Sequence, residues 1–409
     1  MNRNLVFACG TALLGASTVI WASAAGAAEA VDSFEQAFRQ ADFHVDYRVR
    51  YESVDQAGFI ETADAVTSRL RAGLITAPLR KTRLQAEAVW VDGLVSDYNS
   101  TTNGNTQYPV VADPAGFVAL NRFAIINQSL EHATLTFGRQ RVVLDDSRFV
   151  GNVGWRQNEQ TFDAVRAQLA GPAIKADLTY ADQVNRIFGP DSPAGRWHGD
   201  VVLANLEHVF PVGMLTLFDY YMDFDEAASA SSNSVGLRLT GSKAIGKIGA
   251  TYSLSVARQV DAGANPADYR ASYYLLEGGL NFRKIGVALG HELLGSDGTN
   301  AFSTPLATLH AFQGWSDKFL ATPAAGMADS YVKLVYPMGQ RGRFKNISAL
   351  AFFRDFAADV GNAHYGEELD LQLVARTERV ALILKYADYR ADTLLTDTSK
   401  VWVSMDYSF

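Results

Sequence analysis

The feature that most constrains this chain is a two-residue alternation of apolar and polar side chains that recurs from residue 43 to the C-terminus. In its first segment one face carries Phe43, Val45, Tyr47, Val49 and Tyr51, and the other carries His44, Asp46, Arg48 and Arg50. Such a period of two predicts a β-strand whose two faces meet different environments. The alternation therefore favours a sheet with one apolar and one polar surface.

The alternation predicts eighteen strands, with sixteen as the nearest rival number. Their predicted starts lie near residues 43, 63, 82, 118, 132, 161, 174, 199, 213, 233, 248, 271, 285, 330, 344, 364, 379 and 400. Every second connection is short, and three of the others are extended, near residues 92–117, 144–160 and 295–329. Short turns on one rim and long loops on the other are typical of a transmembrane antiparallel β-barrel, with the turns in the periplasm and the loops outside the cell.

The N-terminus has the pattern of a secretory signal. Arg3 precedes an apolar run, and small residues precede Glu29, so we expect cleavage after a signal at residues 1–28. The alternative, a membrane anchor, is disfavoured because Gly and Ser interrupt the run. Residues 29–42 are then a short periplasmic lead with a helical turn, and residues 43–409 form one barrel domain.

The composition agrees with a secreted outer-membrane barrel. The only cysteine, Cys9, lies in the signal, so the mature chain can form no disulfide. Removing Arg3 changes the net charge from −8 to 35 − 44 = −9, which disfavours nucleic acid as a partner. The last strand ends on Phe409, which predicts recognition by the machinery that assembles outer-membrane barrels. We expect an integral protein of a Gram-negative outer membrane, in contact with its lipid.

The segment from Gly138 to Arg166, GRQRVVLDDSRFVGNVGWRQNEQTFDAVR, concentrates charge between two predicted strands. Its five guanidinium groups suit carboxylate or phosphate, and its four acids can position them. This block, together with Leu294 to Leu334, resembles the signatures of the alginate export family of outer-membrane porins. The resemblance implies a β-barrel that lets acidic sugar polymers, or smaller solutes, cross the outer membrane.

If the apolar face meets lipid, a set of cations lines the pore and contacts an anionic solute. The pore-lining and anion-binding candidates are Arg48, Arg50, Arg69, Arg71, Arg83, Arg139, Arg141, Arg148, Arg156, Arg166, Arg238, Arg354, Lys175 and Lys385. The counter-charges are Asp46, Glu87, Asp145, Asp146, Asp163 and Asp177, with further inward acids Glu368, Asp370 and Asp406. Mutual pairing that only stiffens the wall is the alternative for any single arginine.

Two orientations stay open at this stage. Arg139 and Arg141 share parity with Leu135 and Phe137, so either a bulge at Gly138 reverses the phase or both arginines lie at the outer rim. The loop at 295–329 contains LATLHAFQGWSDKFL, which predicts a short helix. That loop folds inward as a gate, with His310, Trp315, Asp317 and Lys318 touching solute, or it packs its own aromatics.

Catalytic and metal motifs are poor. His291 and Glu292 begin an HExxH-like string, but Gly295 occupies the place of the second ligand. No cofactor is expected; Asp297, Asn300 and the Asp145–Asp146 pair are weak candidates for Ca²⁺. The sequence therefore predicts a porin for passive, selective passage of anionic solutes, acidic poly- or oligosaccharides first. An uptake porin for small organic anions is the alternative, and an outer-membrane hydrolase or structural barrel is the alternative of another class.

Overall fold

A computed structural model describes residues 30–409 as one closed antiparallel sheet of eighteen strands. The strands are β1 (Asp42–Gln56), β2 (Ala63–Ile75), β3 (Thr82–Asp97), β4 (Phe117–Asn127), β5 (Ala133–Gln140), β6 (Thr161–Ala170), β7 (Ile174–Asn185), β8 (Arg196–Phe210), β9 (Gly213–Phe224), β10 (Ser232–Ile245), β11 (Ile248–Asp261), β12 (Arg270–Phe282), β13 (Ile285–Leu294), β14 (Met327–Arg341), β15 (Phe344–Ala357), β16 (His364–Arg376), β17 (Val380–Ala391) and β18 (Thr398–Ser408). The prediction of eighteen strands is confirmed, and sixteen is excluded.

Closure is made by the first and last strands. β1 and β18 pair antiparallel from Asp46 opposite Ser408 to Gln56 opposite Thr398. Val45 and the final residue, Phe409, exchange two backbone hydrogen bonds of 2.9 Å at the end of this seam. Each remaining strand pairs with its sequence neighbour, so the sheet has no free edge.

The two faces of the wall differ as the alternation predicts. In β16, Leu369, Leu371 and Leu373 are exposed on the outside, while Glu368 and Asp370 are buried on the inside. The same division holds around the wall, where exposed side chains are mostly Leu, Val, Ile, Phe and Tyr. A charged interior inside an apolar exterior is the arrangement of a barrel in lipid. Helices long and apolar enough to cross a membrane are absent from residues 30–409.

The two rims are unequal. Eight connections of two to six residues form one rim, which we call the turn rim. The other, the loop rim, carries connections of six to thirty-two residues, including 98–116, 141–160 and 295–326. The first long loop is shorter than predicted because β3 continues to Asp97, paired with Asp64 of β2 beyond a bulge. Gly246 and Gly342 adopt positive φ values of 62° and 58°, as tight two-residue turns require.

The lead contains a short helix, α1 (Phe34–Arg39), capped by Ser33, whose hydroxyl accepts from the amide of Gln36. Val31 and Ala37 pack against Ala77 in the turn between β2 and β3. The lead is therefore attached to the turn rim. The predicted signal at residues 1–28 lies outside the described residues.

We expect the outside and inside of one wall to respond differently to a new charge. Leu276→Arg places a guanidinium on the lipid face at the middle of β12 and should lower the free energy of unfolding by about 2–4 kcal/mol. Ser253→Arg, inside the lumen on the neighbouring β11, is the control and should cost less. Urea unfolding in lipid vesicles measures both, and equal losses would contradict the assignment of faces.

Candidate functional site

The lumen is crossed by two long loops that are bound to each other. In the first loop, residues 141–160, the amide of Gly151 donates to the carbonyl of Leu306 in the second loop, residues 295–326. The amide of Thr308 donates back to Ser147. Phe149 of the first loop packs on Phe302 of the second at 5.8 Å between ring centroids. Of the arrangements that the sequence left open for residues 295–329, the structure has inward folding. The predicted helix is reduced to a single 3₁₀ turn at Leu309–Ala311.

The loops are held by ion pairs between buried groups. Arg148 binds Glu292 of β13 at 2.6 Å and also donates to Thr304. Arg156 binds Asp317 at 2.5 Å, which ties the first loop to the second. A buried ion pair is costly to break by removing one partner, because the remaining charge stays uncompensated. These contacts therefore fix both loops inside the wall.

A cluster of three tryptophans, which we call the tryptophan cluster, surrounds the amine of Lys385. The Nζ atom lies 4.0 Å from the ring centroid of Trp155, 3.7 Å from that of Trp315 and 5.3 Å from that of Trp402. Close cation–π contacts of this kind are worth more when water is excluded. The cluster narrows the lumen at this level, since all three rings are almost fully buried.

His310 completes this packing. Its ring stacks on Trp155 at 4.8 Å, its Nδ1 lies 2.8 Å from Asp317, and its Nε2 lies 2.7 Å from the amine of Lys385. Burial and the charge of Lys385 hold the pKa of His310 well below its usual value, although Asp317 acts in the opposite direction. A neutral ring fits both contacts, because Nδ1 can then donate to the carboxylate while Nε2 accepts from the ammonium.

A group of arginines on β1 and β2, which we call the arginine patch, consists of Arg48, Arg50, Arg69 and Arg71. Arg48 and Arg69 are direct cross-strand neighbours, and like charges in that relation repel. Acids anchor both: Asp406 lies 2.6 Å from Arg48, and Asp46 binds Arg69. The patch is therefore preorganised by its own carboxylates.

Part of the arginine patch lacks a hydrogen-bond acceptor, although the Arg50 guanidinium lies 3.9 Å from the Trp155 ring centroid. All three side-chain nitrogens of Arg50, two of Arg69 and two of Arg71 are buried without a hydrogen-bond acceptor among the described residues. The closest carboxylate oxygens lie 3.5 Å from Arg50 (Asp113) and 3.4 Å from Arg71 (Glu159). Guanidinium groups are strong donors, and leaving them unsatisfied is costly. A water or an anion oxygen that reached these buried nitrogens would therefore meet unsatisfied donors.

Glu159 shows how strongly this region is electropositive. It contacts Arg141 at 2.6 Å and Arg71 at 3.4 Å. Burial acts to raise the pKa of Glu159, but the charges of Arg141 and Arg71 outweigh it and lower the pKa to about 2. The carboxylate is thus ionised at any physiological pH.

A second part of the lumen is a cavity of about 390 Å³ beside the loops. Its charged lining consists of Arg148, Arg238, Lys333 and Arg354 with Asp145, Asp146, Glu277 and Glu292. Tyr252, Tyr273, Phe312, Tyr331 and Phe352 supply aromatic surface. Lys333 has no ion pair within the described part of the chain, and its amine lies 5.3 Å from the Phe352 ring centroid. Cavities of this size commonly hold small molecules.

Most of the other predicted pore cations are paired. Arg166 binds Asp177, Arg238 binds Asp146 and Arg354 binds Asp329, each at 2.5 to 2.7 Å. Arg83 is half-buried, and Lys175 is exposed near the turn rim, 3.9 Å from Glu207. For Arg166, Arg238, Arg354 and Lys175 mutual pairing, the alternative left open by the sequence, describes what the structure contains. Arg83 has no ion pair among the described residues, and its Nε atom is buried without a hydrogen-bond acceptor.

Arg139 does not line the lumen, which corrects its assignment to the pore. It lies opposite Phe123, an exposed residue of the outer face, and pairs at 2.6 Å with Asp163 of β6, also outside the lumen. The inward and outward alternation of side chains in β5 is therefore not reversed before Arg139. Arg141 does turn inward, because β5 ends at Gln140 and the next residue is free of strand parity.

Several site residues escaped the sequence interpretation. Glu52, Lys400 and Trp402 continue the inward parity of β1 and β18, so extending the alternation would have found them. Arg122, which binds Glu87, is hidden by a bulge that places both Asn121 and Arg122 inside. Trp155 belongs to a loop and has no periodic signal.

The proposed Ca²⁺ candidates have other uses. Asp297 accepts from the amides of Thr299 and Asn300 within its own turn. Asp145 accepts from Asn205, and Asp146 pairs with Arg238. Ligand atoms do come within 4.8 Å of one another in Asp355, His364 and Glu367 at the loop rim, a grouping without a sequence motif.

Comparison with known proteins gives one family and many solved structures of the same fold. The model of the alginate export family matches residues 39–286, which includes the block from Gly138 to Arg166 but ends before Leu294. Pseudomonas aeruginosa OpdK, solved with vanillate, is similar with a TM-score of 0.70 and 13% identity, over 90% of this chain and 98% of that chain. Acinetobacter baumannii OccAB4 has a TM-score of 0.69 and 12% identity over 90% and 98% of the two chains. No curated protein matches the sequence.

Acidification should weaken docking of the second loop. The pKa of His310 is depressed in the docked loop and returns to about 6.5 on release, so below about pH 6.5 only the released loop takes up a proton. Docking then loses up to about 1.4 kcal/mol per pH unit as the pH falls.

Acrylamide quenching of tryptophan fluorescence measures this effect, since Trp155, Trp315 and Trp402 become accessible on release. We expect stronger quenching at pH 5 than at pH 7.5, and no such difference in His310→Gln. Equal quenching of the unmodified protein at both values would contradict the role of His310.

Proposed function

Because this chain belongs to the alginate export family of outer-membrane porin barrels, we propose that it is a channel for passive, selective passage of anionic solutes across the outer membrane of a Gram-negative cell. The observation that carries the proposal is the set of buried, unpartnered guanidinium nitrogens on Arg50, Arg69 and Arg71. They replace part of the hydration of a carboxylate or phosphate that enters the lumen. Asp113 and Glu159, at longer distances, keep that binding shallow enough for release.

The size of the solute follows from the loops. With residues 141–160 and 295–326 docked, the tryptophan cluster and Arg156 narrow the lumen at one level, and the adjoining cavity is about 390 Å³. This geometry supports compact organic anions as the first solute class. An aromatic or alicyclic carboxylate suits the cavity, where Lys333 offers a free ammonium beside Phe352 and Tyr331. OpdK, a barrel of the same fold, was solved with vanillate, which belongs to this class.

Acidic oligosaccharides are the second candidate, favoured by membership of the alginate export family. A polymer needs a continuous passage, so both loops must leave the lumen. The contacts that must break are then the ion pairs of Arg148 with Glu292 and of Arg156 with Asp317. The two candidates thus differ in whether transport requires the loops to move.

Reconstitution in planar bilayers tests anion selectivity. We expect the reversal potential in a salt gradient to favour anions, and Arg50→Gln with Arg71→Gln to weaken that preference. Each lost charge should lower anion affinity by about 1 kcal/mol, or about fivefold, the attraction between unit charges about 4 Å apart in water. Arg139→Gln, on the outer face, is the matched control and should leave selectivity unchanged. A cation preference of the unmodified channel would refute the proposal.

Loop removal separates the solute classes. Replacing residues 304–318 with a short Gly-Ser linker removes the second loop from the lumen, so single-channel conductance should rise. Asp317→Asn, which weakens the contact with Arg156, should give a smaller increase. If oligo-uronates pass only the loop-deleted channel while monomeric carboxylates pass both, compact anions are the native class. Unchanged conductance in both variants would rule out a gating role for this loop.

A further inference from the structure

The outer wall contains a shallow apolar groove along β15. Two alanines, Ala349 and Ala351, occupy successive outward positions on this strand. Leu334 and Tyr336 flank them on β14, and Leu371 and Leu373 flank them on β16, each directly opposite an alanine in the register. Small side chains between two rows of large ones leave a valley, and its volume is about 570 Å³.

Beneath this groove the turn rim is strongly basic. Six exposed cations lie in the three turns at residues 283–284, 341–345 and 377–379: Arg283, Lys284, Arg341, Arg343, Lys345 and Arg379. The only acid in those turns is Glu378, which pairs with Lys345 on the surface. By contrast, the three turns of the opposite wall, at 128–132, 171–173 and 211–212, contain no Lys or Arg. The two remaining turns, at 76–81 and 246–247, carry Arg80, Lys81 and Lys247, so most but not all of the positive charge of the turn rim lies under the groove, although the chain as a whole is acidic.

The cations lie at the level where headgroups meet the wall. Arg283 stacks at 5.2 Å on Phe282, and Arg379 stacks at 5.0 Å on Phe409; both rings are exposed on the outer face. Aromatic rings at such positions mark the membrane–water interface of a barrel. Lys345 lies on the same outward face of β15 as Ala349 and Ala351, nearer to the turn rim. The strand spans roughly 20 Å from Ala351 to Lys345. Because barrel strands are tilted, this length corresponds to the roughly 15 Å depth of one leaflet.

We propose that this groove and its basic turns form a binding site for one anionic phospholipid of the periplasmic leaflet. An acyl chain lies in the valley over Ala349 and Ala351. The phosphate is bound by the cations of the turns, chiefly Arg343 and Lys345. This site is separate from the lumen and does not depend on which solute the channel passes.

A second copy of the chain is the other occupant that an apolar groove suggests. In a two-fold dimer the same surface meets itself, so the six cations of one copy would lie beside six of the next. Such an arrangement is repulsive, whereas an anionic headgroup neutralises the patch. Charge complementarity therefore favours the lipid.

Native mass spectrometry of the purified full-length protein tests the site. The protein is equilibrated with equimolar phosphatidylglycerol and phosphatidylethanolamine that carry the same acyl chains. We expect phosphatidylglycerol to be retained preferentially. The double variant Arg343→Gln/Lys345→Gln should lower that retention by roughly fivefold for each charge removed. Ala349→Leu/Ala351→Leu, which fills the groove without changing charge, should lower it as well.

Two controls make the result decisive. Lys243→Gln/Lys247→Gln removes the same charge from the turn-rim end of β10 and from the turn that follows it, away from the groove, and should change nothing. Arg343→Lys/Lys345→Arg keeps the charge and should retain the lipid, and the gel mobility of each folded variant shows that the barrel is intact. Equal retention of both lipids, or an equal loss in the Lys243/Lys247 variant, overturns the site. A change from dimer to monomer in the groove-filling variant with lipid retention unchanged would assign the groove to a second copy.

Discussion

The structure depends on one constraint: within lipid no water is present to satisfy the peptide N–H and C=O groups, so the sheet has to close on itself. The pairing of β1 with β18 removes the last two edges. Closure then divides all side chains into an outside that must be apolar and an inside that is free to hold charge. Loops, ion pairs and the lumen cavity are possible only because the wall satisfies its own backbone.

Inside the wall, charge is arranged by a second rule, that a buried ion needs a counter-ion or a hydrogen-bond partner. Arg148, Arg156 and Arg354 meet this rule through carboxylates, and the first two thereby hold the loops in place. Arg50, Arg69 and Arg71 meet it only in part. We propose that this division separates arginines that hold the channel together from those that contact the solute.

The sequence predicted the wall better than its contents, for physical reasons. Strand starts fall within three residues of the prediction because lipid enforces alternation at every outward position. Predicting side-chain orientation from parity fails where a bulge intervenes, as at Asn121 and Arg122, or where a strand ends, as before Arg141. The pairing of Arg156 with Asp317, and of Lys385 with three tryptophans, joins residues far apart in sequence, and no local pattern encodes such meetings. The helix expected near His310 is reduced to one 3₁₀ turn because that loop is shaped by its neighbours in the lumen.

The seam has a consequence for how the molecule is made. Its last rung joins Val45 to Phe409, so the sheet stays open, with two hydrogen-bonding edges, until β18 reaches β1. Closure is thus a contact between the two extremes of the sequence, the slowest kind to form. During that interval the open edges invite aggregation unless something shields them. Because β18 supplies one side of the seam, a chain that lacks this strand cannot seal the wall, so the barrel is a pore only when its two most distant strands have met.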